Sequence, residues 1–354
     1  MITEKAPRPS AAWRRYLPWL NLALAVGLVA AGLWYLSARV SLAAIGRALA
    51  GASMGCVALA VAIVLLTIAL KAWRWQLMLS TTDRSPLTPA VPFRAAFWAT
   101  ALGQYVNLVI PFLRLGEVAR VYALNRETGA SAARALGTLV VEKTLDLIFF
   151  GLTILFVLPF VILPDFMDRP GPLLFVLPAL LLAALYLLAY RTEWVIGLWR
   201  RVIRPLPERA AVFLLRVAVA GLEGLAALRD RRRMALLVLT SLVIAALSVA
   251  LPYALGPALG LPLSVLDAAL IHIGVTIAIT PPSTPAKLGV FNGAAALLLW
   301  QFGLTDETAI LSYTILFYLV AIGPQIVLGL MAASRTKWRW STAIPAGAVE
   351  GEQA

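Results

Sequence analysis

Six stretches of mostly apolar residues, at 17–38, 54–73, 135–158, 173–190, 235–255 and 309–333, each match the roughly 20 residues that a helix needs to cross a bilayer. Few water-soluble folds are open to such a chain, because 61% of its residues are hydrophobic and only 13% are charged. Within hydrocarbon every backbone N–H and C=O has to be satisfied inside the segment, which makes these runs helices.

The chain still carries a formal net charge of +13, so its basic residues are concentrated. They gather at 5–15, 71–94, 114–134, 191–233 and 335–339, leaving Arg39, Arg47, Lys143, Arg169 and Lys287 between them. Lys and Arg accumulate on the cytoplasmic side of a membrane, which puts these clusters there. Asp165, Asp168, Asp306 and Glu307 then fall outside. The parity closes only if two apolar segments broken by prolines, 93–124 and 265–300, each enter and leave on one side, the first from the cytoplasmic face and the second from the outer face. Broken backbone at membrane depth is tolerated where protein or water satisfies it, so both tips are predicted to line a cavity. The predicted fold is therefore all-α: a polytopic integral membrane helical bundle with about six spanning helices and two oppositely oriented re-entrant helical hairpins.

The predicted organisation is a cytoplasmic N-terminal tail at 1–16, a single membrane domain at 17–334 and a cytoplasmic C-terminal tail at 335–354. Residues 207–230 are apolar enough to tempt a further span. Arg209, Arg216, Glu223 and Asp230 recur every seven residues, however, and this stripe suits a helix lying at the cytoplasmic interface. Trp13, Trp19, Trp73, Trp75, Trp194, Trp199, Trp338 and Trp340 fall at predicted span ends, as an aromatic belt requires.

Cys56 is the only cysteine and His272 the only histidine. Disulfide frameworks and the usual zinc sites are thereby excluded, and no metal or cofactor is implied. Nucleic-acid binding would need an exposed basic domain, which this sequence lacks.

The third apolar run contains Glu142, Lys143 and Asp146, the two carboxylates one helical turn apart on one face. Charges in hydrocarbon cost roughly 2.5 to 3.5 kcal/mol each on insertion scales, so these groups should face an interior cavity and find partners. They are read as functional, against the plainer alternative of an ion pair locking helices together. The two broken segments resemble each other: Pro111-Phe-Leu-Arg114-Leu-Gly116 in the first and Pro285-Ala-Lys287-Leu-Gly289 in the second both place proline before a basic-Leu-Gly triplet. A broken helix leaves unpaired N–H groups at a half-helix N-terminus, which with a basic side chain suits an anionic group such as a lipid phosphate. Repeats entering from opposite faces are a transporter pattern. His272, on the descending limb of the second hairpin, is read first as a packing residue and, beside that, as a weak headgroup contact. Arg74 and Trp75 are read as weak headgroup contacts, with snorkelling at a span end explaining Arg74 equally well.

These residues also carry a family resemblance. Lys71-Ala-Trp-Arg74-Trp75, Asn107 through Pro111 with Arg114, Gly116, Glu117 and Arg120, Val141-Glu142-Lys143-Thr-Leu-Asp146, and the Pro-rich turn leading to Leu288-Gly289-Val-Phe291 resemble the transmembrane region of lysylphosphatidylglycerol synthases, a flippase-like, UPF0104-type family. The resemblance implies a membrane domain that moves or binds lipids, either aminoacylated phosphatidylglycerol or polyprenyl-linked and hopanoid-type lipids. It does not bring the synthase's catalytic domain with it. Asn292 stands where the family often has a glutamate.

The reading that follows is an inner-membrane lipid flippase or lipid-headgroup transporter for an anionic phospholipid or a polyprenyl-phosphate lipid. Asn107, Arg114, Glu117, Arg120 and Lys287, with Asn292, would bind the headgroup. Glu142 and Asp146 would hold the basic residues or couple to protons, and Lys143 would complete the network. The alternatives are a membrane-embedded glycosyltransferase or lipid-modifying enzyme using Glu142 or Asp146 as general base, and a non-catalytic partner of lipid-synthesis enzymes.

Overall fold

A computed structural model of the chain describes residues 42–80, 91–110, 115–162, 231–281 and 284–336, together with Gly197. The predicted spans at 17–38 and 173–190, the interfacial helix at 207–230, residues 1–16 and 337–354, and Arg114 lie outside the described residues.

The described residues form helices and short 3-10 turns only: α1 (Leu42–Ala50), α2 (Met54–Leu79), α3 (Phe93–Val109), α4 (Leu115–Thr128), α5 (Ala132–Ile162), α6 (Arg231–Leu255), α7 (Val265–Ile279), α8 (Val290–Gln301) and α9 (Glu307–Thr336), with 3-10 turns at Pro257–Leu259 and Pro285–Lys287. Three of these helical stretches, Met54–Leu79, Arg232–Leu259 and Glu307–Thr336, are long and apolar enough to cross a membrane. At 31 residues α5 also has the length, but Arg134, Glu142, Lys143 and Asp146 interrupt its first half.

Local chemistry explains several helix ends. Ser264 accepts from the Asp267 amide at 3.1 Å while Asp267 accepts from the Ser264 amide at 2.9 Å, a reciprocal box that starts α7. Asp306 caps α9 by accepting from the amides of Thr308 and Ala309.

The two proline-broken segments are both helix-break-helix units. In the first, α3 and α4 pack on each other, and their outer ends meet again: Arg94 at the start of α3 and Arg126 at the end of α4 line one cavity of about 390 Å³ with Arg335 at the end of α9. Glycines allow the close approach. A Cβ on Gly103 would lie 2.7 Å from the Gly116 carbonyl oxygen, and one on Gly116 would collide with the Gly103 carbonyl and the Asn107 side chain. A Cβ on Gly329 would collide with Tyr105, so α9 sits equally close to α3. In the second unit α7 packs on α8 across a break that begins at Thr280, and its turn Pro285–Lys287 touches α3.

Helix α2 joins two apolar cores. Ala60, Val64 and Ile68 pack with Ile271, Val275, Phe291, Ala295 and Phe317 from α7, α8 and α9. Trp75 and Leu79 pack with Ala99, Leu102, Ala119, Leu124 and Leu139 from α3, α4 and α5. Lys71 and Arg74 fall between them. Lys71 is eight residues, about 12 Å, before the end of α2.

Candidate functional site

A layer of charged side chains lies at this junction between the two cores. Four positions along α5 build one side of it. Thr138 accepts from the Trp75 indole N–H at 3.0 Å, which fixes a fully buried ring. The Arg120 guanidinium stacks on that ring, 3.9 Å from its centroid, and donates from Nη1 to Glu142 Oε1 at 2.9 Å. One turn further on, Asp146 accepts from Arg74, whose Nη1 also donates to Ser241 Oγ on α6 at 2.9 Å. Lys143, on the more exposed flank of α5, lies 3.4 Å from Glu117 Oε1.

The tip of the first hairpin is tied into the same layer. Asn107 Oδ1 accepts from the Gly116 amide at 2.8 Å, bridging the break between α3 and α4, and Asn107 Nδ2 donates to Glu117 Oε2 at 3.3 Å. Arg74 is 1%, Arg120 6% and Glu142 3% exposed, so these charges have left solvent. Ionised groups remain there because each has an opposite charge and hydrogen bonds; a lone one would cost several kcal/mol, about the desolvation penalty of a buried ion. Complementation is incomplete: Arg120 Nε and Nη2 and Glu142 Oε2 have no hydrogen-bond partner among the described residues.

Lys71 stands where three cavities meet. The first, about 310 Å³, lies between the two helix breaks and is lined by Lys71, Gln104, Asn107, Ser248, Lys287 and Gln325 among apolar neighbours. The second, about 70 Å³, is lined by Lys71, Glu117, Arg120, Glu142, Lys143 and Asp146. The third, about 230 Å³, holds Lys71, Arg74, Asp146, Ser241, Ser248 and His272. Phe149, Thr153 and Ala245 are shared between this third cavity and an apolar one of about 740 Å³ bounded by α5, α6 and α7.

Lys287 reaches the first cavity from an unusual turn. Ala286 and Lys287 have φ of 53° and 63°, a left-handed conformation that non-glycine residues seldom adopt. The Tyr318 hydroxyl holds it by donating to the Ala286 carbonyl at 2.9 Å, and Thr284 Oγ1 donates to the Leu288 carbonyl.

The structure thus brings together Asn107, Glu117, Arg120, Glu142, Lys143, Asp146 and Lys287 from the residues singled out in the sequence. Asn292 is not among the cavity linings described above; its side-chain amide donates to the Thr314 carbonyl at 3.0 Å and joins α8 to α9. His272 packs edge-on against Phe150 at the rim of the third cavity. Arg74 and Trp75 lie within α2 and not at its end. Helix α2 continues to Leu79, so both lie inside it, buried, with Asp146, Ser241 and Thr138 as partners. Lys71 was not singled out as a binding residue, although it stands in the same family-like segment. Its signal was a cation three residues before Arg74 in an otherwise apolar run. Among the described residues, no group of three or more His, Cys, Asp or Glu side chains could hold a metal ion.

No curated protein matches the chain. The family model for the lysylphosphatidylglycerol synthase TM region matches residues 22–329, a span that contains Lys71, the ion-paired residues of α5 and both helix breaks. With apolar helices long enough to span a bilayer and a match over most of its length, the chain is a membrane protein belonging to the lysylphosphatidylglycerol synthase TM region family.

Proposed function

We propose that the protein binds a lipid by its headgroup and carries that headgroup through the membrane, as a flippase or lipid-headgroup transporter. One observation carries this reading: a polar cavity holding Lys71, Arg74 and Asp146 shares Phe149, Thr153 and Ala245 with a larger apolar cavity. An amphipathic molecule matches that pairing, with its charged end among the ion pairs and its chain against α5, α6 and α7. The family's name points the same way, since it comes from an enzyme of lipid modification.

In this reading the chain is a polytopic bundle of about six spans in the inner membrane with both termini in the cytoplasm. The units α3–α4 and α7–α8 are the two re-entrant hairpins, and their breaks flank the headgroup. An anionic phospholipid or polyprenyl-phosphate lipid is the substrate class. A lipid-modifying enzyme with Glu142 or Asp146 as general base is less well supported, because both carboxylates accept from arginine.

The test is leaflet exchange of labelled phosphatidylglycerol in proteoliposomes, comparing wild type, Glu142→Gln and Arg47→Ala, the last on an exposed position of α1. Exchange by wild type and Arg47→Ala with loss in Glu142→Gln supports the reading. Exchange no faster than in protein-free vesicles, or equal in all three, refutes it.

A further inference from the structure

We propose that the cavity between the two helix breaks is an anion site for a phosphate group, with Lys71 as its contacting cation, and that it disfavours headgroups bearing an ammonium. This rests on the lipid reading and narrows its substrate class.

The cavity of about 310 Å³ is lined by two lysines, Lys71 and Lys287, and by the neutral polar side chains Thr67, Gln104, Asn107, Ser248 and Gln325; none of its described lining residues is Asp or Glu. The nearest carboxylates, in the adjoining small cavity, are Glu117, Glu142 and Asp146. Each is already bonded to a cation: Glu117 to Lys143, Glu142 to Arg120 and Asp146 to Arg74. Lys71 has no hydrogen-bond or ion-pair partner among the described residues, and it lines both cavities. The charge left over at this junction is therefore positive.

Arg120 adds a second observation, from the adjoining small cavity. It is 6% exposed, lines the small cavity, and its Nε and Nη2 have no partner among the described residues. Glu142 Oε2 is also unpartnered, but it belongs to the same buried pair as these two guanidinium donors, so no local negative excess results. An incoming phosphate in the larger cavity meets the Lys71 ammonium, and the Arg120 guanidinium lies in the small cavity that adjoins it through Lys71, Gln104 and Asn107; charge-assisted hydrogen bonds to such groups are strong. An aminoacylated headgroup would carry further ammonium groups into a place where every carboxylate is engaged. Burying such a cation without an acceptor is unfavourable.

The experiment measures binding to the purified full chain in phosphatidylcholine nanodiscs. The probes are phosphatidylglycerol, lysylphosphatidylglycerol and inorganic phosphate, against wild type, Lys71→Gln and Lys71→Arg. The expected result is phosphatidylglycerol binding about tenfold tighter than lysylphosphatidylglycerol, a preference lost in Lys71→Gln and kept in Lys71→Arg. Retention by Lys71→Arg shows that loss in the glutamine variant is not misfolding. Lysylphosphatidylglycerol binding as tightly as phosphatidylglycerol, or a preference unchanged by Lys71→Gln, overturns the anion site while leaving the lipid reading standing. Phosphate binding through Lys71 without binding of either lipid supports the anion site and sinks the lipid reading. Binding of no probe sinks both.

Discussion

Consider Arg120→Met, Glu142→Leu and the double variant. The pair makes one 2.9 Å contact, which sets the charge centres about 4 Å apart. At an effective dielectric constant of about 20 their attraction is about 4 kcal/mol. Removing either partner leaves the other buried and uncompensated, at a cost of about 3 kcal/mol. Removing both leaves no stranded charge; what remains lost is the stacking of Arg120 on Trp75 and the packing around it, about 2 kcal/mol. The singles would then sum to about 6 kcal/mol and the double should show about 2, a coupling of about 4 kcal/mol. Reversible unfolding in mixed micelles, followed by tryptophan fluorescence, measures all three. Additivity within about 0.5 kcal/mol would show that the two charges do not hold each other in the folded protein, and the ion-paired layer would lose its rationale. Lipid binding provides a separate check, because the double variant should recover stability without recovering headgroup affinity.

Gly116→Ala forces a methyl group onto the Gly103 carbonyl and Asn107, so it should open the first hairpin at a cost of about 1 to 3 kcal/mol; an unchanged thermal midpoint would contradict the close packing of α3 on α4. Tyr318→Phe removes the donor to the Ala286 carbonyl, worth about 1 kcal/mol, and amide exchange at Lys287 and Leu288 should speed up while exchange in α2 stays unchanged. Ser264→Ala breaks the box at the start of α7 and should lower stability by about 1 kcal/mol in the same unfolding assay, with Ser264→Asn largely restoring it.

The helical architecture was legible because hydrophobic run length and proline placement are local signals. The run at 54–73 became α2, and the breaks fell near Pro111 and within Pro281–Gly289 as expected. The charges of α5 were legible as a group needing partners, since a carboxylate in an apolar run advertises its own cost. The partners themselves were not. Arg74 is 72 positions from Asp146 in sequence, and an arginine between tryptophans near the end of an apolar run looks the same whether it snorkels to headgroups or is buried. Six further residues of α2, as far as Leu79, decide between those, and residues 74–79 look too mixed to extend a span. Lys71 was missed for the same reason. Analogy of motif points Asn292 at the site, and in the fold its side-chain amide donates to a backbone carbonyl of the next helix.

The distribution of contacts around α5 has a mechanical consequence. Its charged stretch is bolted to α2 and α4 by three ion pairs, while its later turns meet α7 through the apolar cluster of Phe150, Ile154, Val157, Leu266, Ala269, Leu270 and Ile273 and the ring contact of Phe150 with His272, a greasy contact with no ion pair among the described residues. Sliding α5 past α2 or α4 strands a charge, whereas slipping along α7 exchanges one hydrocarbon neighbour for another. If this molecule rocks, the α5–α7 contact beside the large apolar cavity is a seam that can shift without breaking an ion pair.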